Sequence, residues 1–278
     1  MTFLRRSTRL SLLALAAATG TAHATDYYVS KDGNDMNNGT SRNTPWRTLA
    51  KVSSMVYQPG DTINLKRGGG LLQRTWFEPL VLRGSGTPTS PIVVTAYGTG
   101  VRPRIAPGTI DSTCVKIDGG EGWKVTDLEL SNARWGVELK YDSVTERRYI
   151  WLQDLQINNM TNAFNSIPGA EKFNFLSAGI AIRHWTDDPG SPVFLRDLTI
   201  KNVSILNSNF GLWTGSICEG APGRCNDDGF SVTGRWAYVD GFNLENITVT
   251  NGPQYGLSLA FMKNGSLTNT VVSNVGYQ

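Results

Sequence analysis

In the second half of the chain the apolar residues fall two apart, and the pattern returns. Five segments line up on an acid or amide, apolar, any, apolar, any, Asn. They are Asp127-Leu-Glu-Leu-Ser-Asn132, Asp154-Leu-Gln-Ile-Asn-Asn159, Asn202-Val-Ser-Ile-Leu-Asn207, Asn246-Ile-Thr-Val-Thr-Asn251 and Asn269-Thr-Val-Val-Ser-Asn274. Three are followed by an aromatic residue and Gly (Trp135-Gly136, Phe210-Gly211, Tyr255-Gly256), then by a second apolar pair: Val137/Leu139, Leu212/Thr214, Leu257/Leu259. The second segment reaches its counterpart, Gly179-Ile-Ala-Ile182, only after an insertion. A spacing of two is that of a strand, not a helix. The tightest repeat, Asn246 to Asn269, is 23 residues. That is too short for a strand with a crossover helix, and it fits one coil of short strands joined by bends, each pairing in parallel with the next coil. The expected fold is therefore all-β, a parallel β-helix whose inward side chains are buried on the coils above and below.

Ahead of the repeat, Tyr27–Ser30 reads as a strand and 31–43 as a polar loop. Asp32, Asn34 and Asp35 invite a calcium-loop reading, but Met36 and Asn43 stand where such a loop needs oxygen ligands, so a plain turn is expected. Thr44-Pro45 resembles an N-cap and first-turn proline. Trp46, Leu49, Val52 and Val56 then recur at helical spacing until Pro59-Gly60. The spacing predicts a short amphipathic helix placed to cap the open end of the coil, where core and strand edges would otherwise be exposed. Asp61–Leu65 begins the first coil, and Ile92–Thr95 and Cys114–Ile117 read as early coils.

Several stretches resemble the N-terminal part of secreted right-handed β-helix proteins, the pectate lyase-like superfamily. They are Tyr27-Tyr-Val-Ser-Lys-Asp-Gly33, Gly39-Thr40, Pro45-Trp-Arg-Thr-Leu49, Pro59-Gly-Asp-Thr-Ile63, Phe77-Glu-Pro-Leu80, Gly84-Ser-Gly86 and Pro91-Ile-Val-Val-Thr-Ala-Tyr-Gly98. The resemblance implies the right hand of the coil and a polysaccharide lyase-type activity on a uronic-acid polymer. It is a likeness of scaffold, and no complete catalytic motif accompanies it.

The composition of 278 residues, with 40% hydrophobic, 18% charged and 30 Gly, suits one β-rich domain with many tight bends. Residues 1–24 stand apart. Arg5, Arg6 and Arg9 precede the apolar run 10–18, and Ala22-His-Ala24 is a small-x-small cleavage site. This reads as a secretory signal peptide cut near Ala24, leaving residues 25–278 as a single domain in a secreted or periplasmic protein. Its removal takes three Arg and no acid from the 26 basic residues, leaving 23 against 23 acidic, so no nucleic-acid footprint remains. No stretch reaches membrane-spanning length. The last repeat stops at Tyr277-Gln278 before its Gly and second strand, so the sequence reads as an N-terminal fragment of a longer protein; a monomer is expected. Cys218 and Cys225 bracket a Gly/Pro loop and are expected to pair as a disulfide, which export permits; Cys114 reads as a buried small apolar residue.

Regular features read first as structure. The Asn column 132/159/207/251/274 suits left-handed bends and an amide ladder along the axis, and the aromatic column Trp135/Phe210/Tyr255/Tyr277 suits a stack. With Leu139, Ile182, Thr214 and Leu259 inward, two columns point out: Glu138, Ala181, Trp213, Ser258 and Lys140, Arg183, Gly215, Ala260. Parallel strands lie about 4.8 Å apart, so Lys140 and Arg183 become neighbouring cations with Trp213 diagonal to them. Two cations and an exposed indole suit an acidic sugar; a solvated face is the plainer alternative. His184 and Trp185 stand beside them as further substrate contacts. The insertions that follow carry Asp187-Asp188 and Asp227-Asp228 at equivalent places in adjacent coils. Four converging carboxylates suit Ca²⁺, which takes about six to eight oxygens, or a division of acid and base roles; ordinary turn chemistry also accounts for them.

No Gly-x-Ser-x-Gly, zinc-ligand or phosphate-loop pattern occurs, which argues against serine-hydrolase, zinc and nucleotide chemistry. The expectation is a lyase that removes a proton alpha to a uronate. Lys140 and Arg183 are the candidate bases, with Asp227 and Asp228 as further catalytic candidates. Asp187, Asp188, Asp227 and Asp228 are the candidate ligands of a Ca²⁺ cofactor, and an acidic polysaccharide is the partner. Asn226-Asp-Asp-Gly229 faintly resembles polygalacturonases, so an inverting hydrolase is one alternative, and a non-catalytic glycan-binding β-helix is another.

Overall fold

The computed structural model describes residues 23–108, 112–141, 145–160, 177–184, 193–215, 238–253, 255–260 and 262–276. Expectations for the signal peptide, the Cys218–Cys225 bridge, Trp185, Asp187, Asp188, Asp227, Asp228 and Tyr277 fall outside the described residues. The chain runs β1 (Asp26–Val29), α1 (Leu49–Ser53), β2 (Thr62–Lys66), α2 (Leu71–Arg74), β3 (Thr75–Trp76), β4 (Leu80–Leu82), β5 (Ile92–Tyr97), β6 (Arg104–Ile105) and β7 (Thr113–Asp118). It continues through β8 (Trp123–Thr126), β9 (Glu129–Ala133), β10 (Trp135–Tyr141), β11 (Arg147–Gln153), β12 (Gln156–Met160) and β13 (Ala178–His184). The last described strands are β14 (Val193–Ser208), β15 (Phe210–Gly215), β16 (Tyr238–Gly252), β17 (Tyr255–Ser258), β18 (Met262–Thr268) and β19 (Val271–Val275).

Every pairing between these strands is parallel. One sheet has the order β4-β7-β10-β13-β15-β17. The larger sheet is two stacks joined through the long strands. Residues 195–201 of β14 pair with β11, and residues 204–208 of the same strand pair with β12. Between the halves Asn202 has φ 53°, a left-handed residue that turns the strand. From β2 onward the chain visits the three stacks in one cyclic order, as in β8, β9, β10 and again β11, β12, β13. That order, in an all-β chain, fits the expected coil.

The bends explain the repeat. Three columns of residues have positive φ, five positions apart in each repeat: Gly122/Tyr149/Asp197/Gly241/Asn264, Asp127/Asp154/Asn202/Asn246/Asn269 and Asn132/Asn159/Asn207/Asn251/Asn274. Asn and Asp tolerate this conformation because the short polar side chain bonds locally. The amides also bond along the stack: Asn207 Nδ2 donates to Asn159 Oδ1 at 3.0 Å, Asn274 to Asn251 at 3.2 Å, and Asn246 to Asn202 at 2.8 Å. Between the bends, alternate residues point inward and are fully buried, among them Val125, Leu152, Ile200 and Leu244 in the first stack and Ile117, Leu139 and Ile182 in the third. Each such side chain contributes roughly 1.5–3 kcal/mol of burial. Cys114 is buried as expected, its thiol donating to Ser131 O at 3.6 Å.

The N-terminal helix is shorter than its pattern predicts. Trp46 is not helical: its N–H donates to Tyr28 O, its carbonyl accepts from Ser30 N, and it bridges Val29 in parallel. Thr48, not Thr44, is the N-cap and accepts from Lys51 N. Glu78 accepts from the N–H groups of Leu49 and Ala50, so a distant carboxylate fixes where the helix begins. Trp46, Leu49 and Val52 are buried, whereas Val56 lies past the helix and is exposed. The helix packs on β4, the edge strand of the third stack, where Ser53 Oγ accepts from Val81 N at 2.9 Å. Residues 31–43 form the expected turn. Asp35 accepts from Arg47 N, Thr48 N and Thr48 Oγ1, and Asp32 pairs with Lys66 at 3.2 Å.

Candidate functional site on the third stack

The outward columns of the third stack lie in the predicted register. Glu138 is level with Lys116 and Ala181, and Ala181 with Trp213; Lys140 is level with Asp118 and Arg183. A third column precedes them: Thr113, Trp135, Ala178, Phe210, Tyr255. Parallel pairing at in-register positions brings these residues together from places far apart in the chain.

The expectation of an exposed indole is overturned. Trp213 is 4% exposed and Trp135 3%. The two rings stack with centroids 6.3 Å apart across the intervening strand β13. That strand presents only Ala178 and Ala181 beneath them, and these small side chains leave the room the rings fill. Gly215 has the same effect on β15, since a β-carbon there would press on the Trp213 ring. The aromatic column is a stack in part: Phe210 and Tyr255 lie 5.5 Å apart, but Ala178 separates Phe210 from Trp135.

Beside the indoles lies a buried ion pair. Arg183 is 9% exposed and donates through Nη1 to Glu138, itself 4% exposed. Thr113 Oγ1 donates to the other carboxylate oxygen of Glu138 at 3.1 Å. The Arg183 guanidinium also lies 5.9 Å over the Trp135 ring, and Arg134 covers that ring at 4.9 Å. A guanidinium held this way presents its positive charge in a fixed geometry. Lys140 is half-buried beside it, and Lys116 is 3.5 Å from Asp118. Glu138 carries the arrangement and is the residue that sequence reasoning missed. It stood in the right outward column, but nothing in its sequence neighbourhood marks it as the partner of a residue 45 positions away.

His184 lies on the other side of its strand. It is level with the inward Tyr141, is 5% exposed, and stacks on Phe194 at 4.5 Å. Burial pushes its imidazole down to about 4, so it is neutral at neutral pH. As an interior ring it is no groove contact, which corrects the expectation for that residue. Among the described residues no group of three or more His, Cys, Asp or Glu is placed to hold a metal ion. No helix among them is long and apolar enough to cross a membrane.

No family model matches the chain. A stretch of 84 residues is 37% identical to lacto-N-biosidase of Bifidobacterium longum subsp. longum, which is 29% of this chain and 5% of that protein. Among solved structures, the GH136 lacto-N-biosidase from Eubacterium ramulus superposes with a TM-score of 0.56 at 20% identity, over 83% of this chain and 44% of that one. A rhamnogalacturonan lyase gives a TM-score of 0.36 at 14% identity over 91% of this chain and 87% of that one, too distant to carry an argument. This chain thus spans less than half of either lacto-N-biosidase. At 20% identity the structural likeness establishes a shared fold.

Proposed function

We propose that the chain is a right-handed parallel β-helix, capped at its start by α1, from a secreted protein that hydrolyses glycosidic bonds in a glycan, with the outer face of the third stack as the floor of its groove. The observation that carries this reading is that the local sequence match and the fold match, found independently, both fall on lacto-N-biosidases. The floor fits: two stacked indoles and a fixed guanidinium–carboxylate pair form a rigid base on which loops can hold a sugar. As reacting carboxylates we assign Asp227 and Asp228 first and Asp187 and Asp188 second, all in insertions outside the described residues. Glu138 and Arg183 are positioning residues. The cleaved unit is a disaccharide of the lacto-N-biose type.

A second reading, elimination on an acidic polysaccharide, is favoured by one observation. Lys140 and Arg183 are level on adjacent strands, which would seat a uronate carboxylate and leave Lys140 as base. Ca²⁺ on the four Asp residues belongs to that reading.

The full chain is incubated with an oligosaccharide ending in lacto-N-biose, and separately with pectate and alginate, each with and without a calcium chelator. Released disaccharide with a new reducing end, insensitive to chelation, is the expected result. Asp227→Asn and Asp228→Asn should each lower kcat by about 10²-fold or more if they carry proton transfer. Ultraviolet-absorbing unsaturated ends would replace the first reading by the second. Glycan binding with no product from any of the three would sink both.

A further inference from the structure

The first stack carries a second aromatic surface, on a different face from the indoles above. Trp151 points outward on β11, level with Lys124 on one side and Thr199 on the other, and that column continues through Asn243 and Ser266. Tyr149, two residues earlier, packs its ring 6.0 Å from the Trp151 ring. Lys124 Nζ sits 5.1 Å from the centroid of the Trp151 ring. The indole Nε1 is out of solvent with no hydrogen-bond partner among the described residues, so ring packing and the cation set its orientation.

The backbone at Tyr149 is the informative feature. It has φ 61° and belongs to the bend column whose other members are Gly122, Asp197, Gly241 and Asn264. Those are the residue types that accept the left-handed region; a bulky aromatic there is an outlier. Among the described residues of positive φ, Tyr149 alone is neither Gly, Asn nor Asp. A strained residue persists where it serves something other than the bend. Here the conformation aims a phenol alongside Trp151, at the head of a row of small polar side chains.

We infer that Tyr149, Trp151 and Lys124, with Thr199 and Asn243 behind them, form an auxiliary binding site for the β-linked hexopyranose units of a glycan. The apolar C–H face of a pyranose lies on the aromatic rings, and the hydroxyls at its rim meet the ammonium, hydroxyl and amide groups of the adjoining strands. Strand spacing of about 4.8 Å places Thr199 and Asn243 one and two strands beyond Trp151, a span suited to successive hydroxyls of an extended chain. The site rests on the reading of the protein as glycan-directed, but not on any particular bond being cleaved.

The test uses the full chain and a soluble oligosaccharide of β-linked galactose and N-acetylglucosamine, with affinity measured by calorimetry and turnover measured on a disaccharide-sized chromogenic glycoside. Trp151→Ala is expected to weaken oligosaccharide binding by at least about tenfold with turnover of the small glycoside unchanged. Tyr149→Asn is expected to weaken binding likewise while Tm holds or rises by about 2–4 °C, because Asn relieves the bend. Unchanged affinity in both variants overturns the site, as does a lowered Tm in Tyr149→Asn, which would make the tyrosine a structural element. Loss of small-glycoside turnover in Trp151→Ala overturns the separation of the two faces. If the wild type cleaves nothing, the proposed hydrolysis fails, and the binding measurements still decide the auxiliary site.

Discussion

At the residue scale, His184 shows how parity along a strand outweighs residue type. Histidine beside arginine reads as chemistry, yet one step along a strand moves a side chain to the opposite face. His184 is interior, with burial holding its pKa at about 4 against an ordinary 6.5. The unfolded chain therefore takes up this proton below pH 6.5, whereas the folded one does so only near 4. Its contribution to stability is full above about 6.5 and is lost as pH falls towards about 4, by on the order of 3 kcal/mol. Denaturant titrations at pH 7.5 and 4.5 should show a smaller loss for His184→Phe than for wild type; equal losses would contradict the buried, neutral assignment. The sequence was also misleading at Trp213, because an outward position was equated with exposure. Ala178, Ala181 and Gly215 let the indole lie flat, and a register reading does not weigh how neighbouring side-chain volumes combine.

At the element scale, the bends were legible where their chemistry was uniform. The Asn column announced left-handed corners and an amide ladder; the Asp/Asn column five residues before it was seen as a repeat, but its left-handed backbone was not read. The third column was hidden, because Gly, Tyr, Asp, Gly and Asn share a conformation and no obvious letter pattern. The recurring glycine after the aromatic position has a packing cause. At Gly211 a β-carbon would overlap the Gly256 carbonyl oxygen and crowd the Val249 methyls, so the strand can approach the core only without one. Gly211→Ala is expected to cost about 1–3 kcal/mol, read as a shift in denaturation midpoint at constant slope. A neutral substitution would show that the stack has slack at this level. The helix prediction failed at its start because the apolar spacing extended back to Trp46 while tertiary partners, Glu78 and the strand bridge to Val29, selected Thr48 as the cap.

At the scale of the whole molecule, stability comes from each strand of a stack covering the next. The inward column shows this where strands stand on both sides: Ile200 is 1% exposed and Leu244, its partner on the next strand, 0%; Ile205 is 2% exposed and Val249 1%. In this chain Leu244→Ala should cost about 2–5 kcal/mol, as a fully enclosed leucine does. Denaturation of the variant checks this; a cost under about 1 kcal/mol would mean that the stack leaves slack at this level.

What the sequence by itself determined was an all-β chain of parallel strands: apolar residues two apart, bend residues that accept the left-handed region, and a repeat too short for a helix fix strands, corners and register, because each is a local steric or hydropathic requirement. Tertiary structure alone decided the chemistry of the face. The pairing of Glu138 with Arg183, the closure of Trp135 on Trp213 across β13 and the strain at Tyr149 depend on side-chain volumes and partners brought together from different strands. Such contacts act through space over about 5 Å, and periodicity, which orders residues only along the chain, carries no record of them.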